Sequence, residues 1–168
     1  NNSIVFANYS TTHFGIYYSA VNNVTISNNV VAGCNIGTAG YSGGSFFGIY
    51  VSNGNVLGVS NNTIGSTTVS NSIVYNGNTQ LGGMFLSVPS NYTVNPYPVN
   101  NNIIANLSAP GANTGVTLYG IYLLGSASPI ATNNTIYNLT TNSINNAFSG
   151  NGAVQGIQSS VGSNTIAN

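Results

Sequence analysis

Not one of the 168 residues is Asp, Glu, Lys or Arg. A soluble domain of this length ordinarily carries roughly forty charged side chains, so the deficit is a property of the chain and not of sampling. It excludes carboxylate pairs for acid–base catalysis and acidic clusters for hard cations. It also argues against nucleic acid and anionic membranes as partners, because both are held mainly through Lys and Arg. Tryptophan is absent, and Cys34, Met84 and His13 are the single representatives of their types. One cysteine cannot form an intrachain disulfide framework. No apolar run approaches the ~18 to 20 residues of a membrane-spanning helix, so no membrane insertion is expected. The opening "NNSIVFANYS" has no basic leader, which implies either a removed leader or an internal piece of a longer protein.

What replaces charge is neutral hydrogen-bonding capacity, with 31 Asn and 37 Ser or Thr. The hydrophobic fraction of 42% is too high for a disordered tail. An ordered, single domain spanning 1–168 is therefore expected, long enough to bury a continuous core.

Two short motifs alternate along the chain. The first reads "NNSI" at Asn1, "NNVV" at Asn28, "NNTI" at Asn61, "NNII" at Asn101, "NNTI" at Asn133 and a degenerate "SNTI" at Ser163. Its second asparagine falls at 2, 29, 62, 102, 134 and 164, at intervals of 27, 33, 40, 32 and 30. The other motif reads "FGIYY" from Phe14, "FGIYV" from Phe47, "GGMFL" from Gly82, "YGIYL" from Tyr119 and "QGIQS" from Gln155. Alternation of this kind marks a repeat architecture in which each copy buries its apolar face against the next.

The residue choices follow strand periodicity, in which alternate side chains face opposite ways. Ile16, Ile49, Met84, Ile121 and Ile157 form one inward column, and Tyr18, Val51, Leu86, Leu123 and Ser159 a second. Ile26, Val59, Val99, Ala131 and Val161 precede the asparagine pair, while Val31, Ile64, Ile104, Ile136 and Ile166 follow it. Tyr17, Tyr50, Phe85, Tyr122 and Gln158 are expected to point outward. Helical spacing fits nowhere comparably, and Gly, Asn, Thr and β-branched residues are poor helix formers.

Asparagine suits the corner between two strands because it tolerates the left-handed region. Coils stacked at the ~4.8 Å strand spacing would set equivalent amides above one another. The expected ladder is Asn2, Asn29, Asn62, Asn102, Asn134 and Asn164. A charged residue stacked on itself at that spacing would repel its neighbours.

These residues closely resemble the right-handed parallel β-helix repeats of the pectate-lyase-like superfold, especially the Asn-rich repeats of large secreted or surface proteins of bacteria. The resemblance covers essentially the whole chain and implies an all-β solenoid of about five coils, with three short strands per coil and an asparagine ladder inside one turn. Segments "GTAGYSGGS" from Gly37, "STTVSNSIVYNGNTQLG" from Ser66, "SAPGANTGV" from Ser108 and "NSINNAFSGNGAV" from Asn142 absorb the differences in coil length, and are expected to protrude on one side. Enzymes of the superfold use acidic clusters with a basic residue, or paired acids, and neither set exists here. The chain is expected not to be an enzyme and to need no cofactor or metal.

Individual candidates weigh little. A Cys34–His13 dyad needs hydrogen-bond contact and usually an orienting third group, which the spacing does not supply. Met84 replaces isoleucine in its column and reads as core. Eight Asn-x-Ser/Thr triplets begin at Asn1, Asn8, Asn23, Asn61, Asn91, Asn106, Asn133 and Asn138. About seven would arise by chance from this composition, so the motif alone does not establish glycosylation. Asn61 and Asn133 adjoin the inward ladder, which leaves only the loop sites open.

The functional expectation is a non-catalytic extracellular or cell-surface structural protein, an adhesin stalk or a filament or sheath. The repeat shows no capping segment at either end, and a neutral surface puts little repulsion in the way of self-association. The alternative is a glycan-binding module using Tyr17, Tyr50, Phe85 and Tyr122, whose rings offer flat apolar faces with, for tyrosine, a polar tip. The same column also reads as support for loops or as surface covered by adjoining protein. Ice binding is weaker because regular Thr-x-Thr rows are missing, and a polysaccharide-active enzyme is weakest.

Overall fold

The first asparagine of each pair turns the corner. Asn28, Asn61, Asn101 and Asn133 have φ of 59°, 56°, 55° and 54°, in the left-handed region that Asn enters at lower cost than other non-glycine residues. Each turn joins two strands, and the next coil repeats it. The computed structural model describes residues 4–6, 11–38, 43–91, 96–111, 115–142, 154–160 and 165–167.

Among these residues all regular structure is β. In chain order, β1 (Ile4–Phe6) precedes a first coil of β2 (His13–Tyr18), β3 (Asn23–Ser27), β4 (Val30–Val31) and β5 (Cys34–Ile36). A second comprises β6 (Phe46–Ser52), β7 (Asn55–Ser60), β8 (Thr63–Gly65) and β9 (Ile73–Tyr75). The third has β10 (Gln80–Val88), β11 (Tyr97–Asn100) and β12 (Ile103–Ala109), and the fourth β13 (Thr117–Gly125), β14 (Pro129–Thr132) and β15 (Thr135–Thr141). Strands β16 (Val154–Ser159) and β17 (Thr165–Ala167) follow. The result is a parallel β-solenoid of about four turns.

Three sheets run along it. One stacks β2, β6, β10, β13 and β16, and a second stacks β3, β7, β11, β14 and β17. The third is bent, so that β12 pairs with β8 through its first half and with β9 through its second. A second corner therefore exists where β12 and β15 bend, at Asn106 and Asn138, with φ of 58° and 55°.

The inward columns pack as alternation requires. Ile49, Met84 and Ile121 are opposite one another, as are Val51, Leu86 and Leu123, and all six are fully buried. They meet Val59, Val99, Ile64 and Ile104 from the other sheets in one core. Full burial of such a side chain stabilises by ~1.5 to 3 kcal/mol, and every coil contributes several.

The glycine of "FGIY" is a packing requirement. A Cβ on Gly48 would lie 2.4 Å from Ile64 Cγ2 and 2.8 Å from the Gly83 carbonyl, and one on Gly83 would lie 2.6 Å from Ile104 Cγ2. Gly15 and Gly120 meet Val31 and Ile136 in the same way. The glycine column lets this sheet close onto the aliphatic residues that follow the asparagine pair.

Both ends of the repeat depart from the expected register. Strand β17 pairs with β14, setting Ile166 opposite Ala131 and not in line with Ile136. "TIAN" from Thr165 thus corresponds to "TISN" from Thr25, the strand before an asparagine pair, and Ile166 takes the place expected for Val161. Ile166 supplies the apolar side chain that the position opposite Ala131 requires. Strand β1 sets Ile4 opposite Cys34, beyond Val31, because "IVF" repeats the alternation of "CNI" and "IVY". Asn2, Val161 and Asn164 lie outside the described residues.

Length variation is also more distributed than the sequence implied. Within "STTVSNSIVYNGNTQLG" the strand β9 is core, with Ile73 and Tyr75 fully buried. A further variable connection, 89–96, lies between β10 and β11, where the preceding coil uses only 53–54.

Gly48→Ala is expected to cost about 1 to 3 kcal/mol through overpacking. Gly156→Ala is expected to stay within ~0.5 kcal/mol, because among the described residues nothing lies within 4 Å of its Cβ position. Chemical denaturation midpoints of the two variants test the contrast.

Candidate functional site

Among the described residues the asparagine column forms one continuous hydrogen-bonded stack. Asn29 donates from both its backbone N and its Nδ2 to Asn62 Oδ1, at 3.1 and 3.0 Å. Asn62 does the same to Asn102 Oδ1, both at 3.0 Å, and Asn102 to Asn134 Oδ1 at 3.0 and 2.9 Å. The second Nδ2 proton reaches the pre-corner strand of the preceding coil, from Asn62 to Ile26 O, from Asn102 to Val59 O and from Asn134 to Val99 O. An amide has two donors and an acceptor with two lone pairs, and in Asn62 and Asn102 all are used. These two are fully buried.

The ladder accounts for Asn29, Asn62, Asn102 and Asn134 together. Its sequence reading merged two roles that the structure separates, since the first asparagine of each pair supplies the left-handed corner and the second supplies the amide stack. A second, shorter stack was not anticipated. Asn138 Nδ2 donates to Asn106 Oδ1, and Asn106 Nδ2 donates to Ser66 O at 2.6 Å. Its signal was present as "AN" and "YN" placed five residues after Asn101 and Asn133.

On the outer face of the β2–β6–β10–β13 sheet, Tyr17, Tyr50, Phe85 and Tyr122 occupy one register position on consecutive strands. Tyr50 and Phe85 stack face to face, with centroids 4.6 Å apart and planes 5° apart. Tyr17 stacks on Tyr50 at 5.8 Å, and Tyr122 meets Phe85 edge-on at 5.2 Å. A second aromatic column of Phe14, Phe47 and Tyr119 packs beside it. Strict alternation hid that column, because the glycine between interrupts the period. Gly82 is the gap in it, where a Cβ would fall 2.4 Å from the Phe47 ring.

Each such ring pair adds ~0.5 to 1.5 kcal/mol beyond area burial. The faces of Tyr50 and Phe85 are turned to each other, so the stripe offers a partner mainly edges and hydroxyls. Tyr17, 55% exposed, has the most surface left.

His13 starts β2 and Cys34 starts β5. The Cys34 thiol lies in the core and its acceptor is Ala32 O at 3.7 Å, not an imidazole. Burial pushes that thiol up, disfavouring the thiolate a nucleophile requires. Met84 fills its expected core position. Among the described residues, no group of three or more His, Cys, Asp or Glu gathers as a metal site would require.

The glycosylation triplets sort opposite to expectation. Asn61 and Asn133, set aside for adjoining the ladder, are exposed corner residues, whereas Asn106 is buried in the second stack.

Two predictions follow from the polar core. Asn62→Ala removes an amide bonded on both sides, leaving the backbone N and Nδ2 of Asn29 without their acceptor and Asn102 Oδ1 and Ile26 O short of a donor. With ~1 to 3 kcal/mol per orphaned group, the expected loss is about 3 to 5 kcal/mol. Asn61→Gly, at a left-handed corner, is expected to change stability by less than ~0.5 kcal/mol. Urea titration of both variants separates corner from ladder.

The second concerns alkali. Burial raises Tyr97 strongly, and it raises Cys34, Tyr50 and Tyr119 as well, with Tyr17 adding to the rise at Tyr50, and at Tyr119 a Thr117 hydrogen bond opposing it and Tyr122 adding a smaller rise. Acids with raised folded pKa values contribute stability that is present below their unfolded values and is lost as pH rises toward the folded ones. Stability should therefore fall above about pH 9 to 10. The Tyr97 hydroxyl is buried without a hydrogen-bond partner among the described residues. Tyr97→Phe is expected to raise the urea midpoint at neutral pH and to flatten the alkaline loss.

Compared with family models, curated proteins and solved structures, the chain has no significant match.

Proposed function

We propose that the chain is a non-catalytic structural segment of an extracellular or cell-surface protein, an adhesin stalk or the body of a filament or sheath, with right-handed coils. The observation that carries this reading is the ladder. The polar capacity of Asn62 and Asn102 is spent within the stack, which suits a spacer better than a site. Right-handed winding is the strong preference of parallel strand crossovers. Extracellular placement is supported by the neutral composition and by the resemblance to Asn-rich surface repeats.

Self-association, end to end or side by side, is the expected partner relation. A neutral surface lacks the repulsion that keeps most proteins apart. Electron microscopy of the purified chain is expected to show rods or filaments, and their assembly should change little with ionic strength because no charged side chain is there to screen. A dilute monomer with no tendency to associate would defeat the filament version.

Glycan binding along the aromatic stripe is the second reading, favoured by the continuity of Tyr17, Tyr50, Phe85 and Tyr122 across four strands. Tyr17→Ala and Tyr50→Ala on a glycan array test it. Equal null signals from wild type and variants would remove it.

A further inference from the structure

We propose that Asn61 and Asn133 are acceptor sites for N-linked glycans on this fold, and that Asn106 is not. The chance frequency of triplets makes the sequence silent on this point, but the hydrogen bonds are not. A glycan replaces a proton on Nδ2, so the acceptor nitrogen must be exposed and unspent. Asn106 Nδ2 is committed to Ser66 O, and Asn138 Nδ2 to Asn106 Oδ1. The nitrogens of Asn61 and Asn133 are on exposed corners, and among the described residues their side chains make no hydrogen bond.

The hydroxyl required two places on is supplied by Thr63 and Thr135, which face outward at the start of β8 and β15. On the alternate coils the same position is Val30 or Ile103, opposite them in register. Modified corners therefore fall two coils apart, about 9 to 10 Å, instead of the ~4.8 Å between neighbours. That spacing leaves room for a branched sugar on each. In the transfer, Nδ2 forms a bond to the anomeric carbon of a lipid-linked oligosaccharide. The carbon–oxygen bond to its diphosphate breaks, and the amide proton leaves with the polyprenyl diphosphate.

The biological use of these sites rests on the extracellular reading, but acceptor capacity is tested apart from it. The chain is secreted from a eukaryotic cell line behind a cleavable signal, and its folded fraction is mapped by mass spectrometry after enzymatic glycan release in heavy-oxygen water. Glycan is expected on Asn61 and Asn133 in most molecules and absent from Asn106. Thr63→Val and Thr135→Val, which copy the aliphatic neighbours in that column, should each remove one glycan mass with an unchanged denaturation midpoint. Bare Asn61 or Asn133 in the folded, secreted protein overturns the proposal, whether or not other triplets are modified, and so does glycan on Asn106. A failure of rods to form would bear on the structural reading alone.

Discussion

An asparagine amide buried among aliphatic side chains is stable only if both of its protons and both of its lone pairs find partners. In this solenoid those partners are the same residue one coil away and the backbone of the preceding coil's pre-corner strand. The arrangement therefore works only when consecutive coils are in register. A slip of one residue would expose the aliphatic columns and orphan every amide at once. Register is fixed by an interaction that needs no ions, and a chain without ions can use it throughout.

The other features depend on that registry. Glycines 15, 48, 83 and 120 bring one sheet within contact of the residues following the asparagine pair, which helps only if the same aliphatic residue recurs there. The aromatic stripe stacks because its rings occupy one register position on strands about 4.8 Å apart, close to ring-stacking distance. Neutrality on the outside removes electrostatic barriers to neighbours while the interior holds itself together by amides and packing. With no side-chain carboxylate to protonate, the usual route of acid unfolding is closed.

The repeat, the all-β class and the inner columns were legible because period-two alternation and recurring motifs report directly on stacking. Four of six ladder positions fall together as expected. The two outermost, Asn2 and Asn164, lie outside the described residues, while Thr165–Ala167 and Ile4–Phe6 pair by the apolar alternation of the strands they extend. The second corner at Asn106 and Asn138 escaped notice because the preceding coils turn there with Gly33 and through the 66–72 connection, which removes the recurring letter. Phe14, Phe47 and Tyr119 escaped because glycine breaks the alternation that would have placed them. Composition bears on which side-chain chemistries the chain carries and much less on any partner, since a neutral surface holds no charge pattern to read.

Hydrogen exchange followed residue by residue by NMR tests the central claim most directly. The backbone amides of Asn29, Asn62 and Asn102, and the side-chain amides of Asn62 and Asn102, should exchange only with global unfolding, while the side-chain amides of Asn61 and Asn101 exchange at solvent rates. Side-chain protons of Asn62 and Asn102 exchanging as fast as those of Asn61 would contradict the account, because the stack would then be open to water.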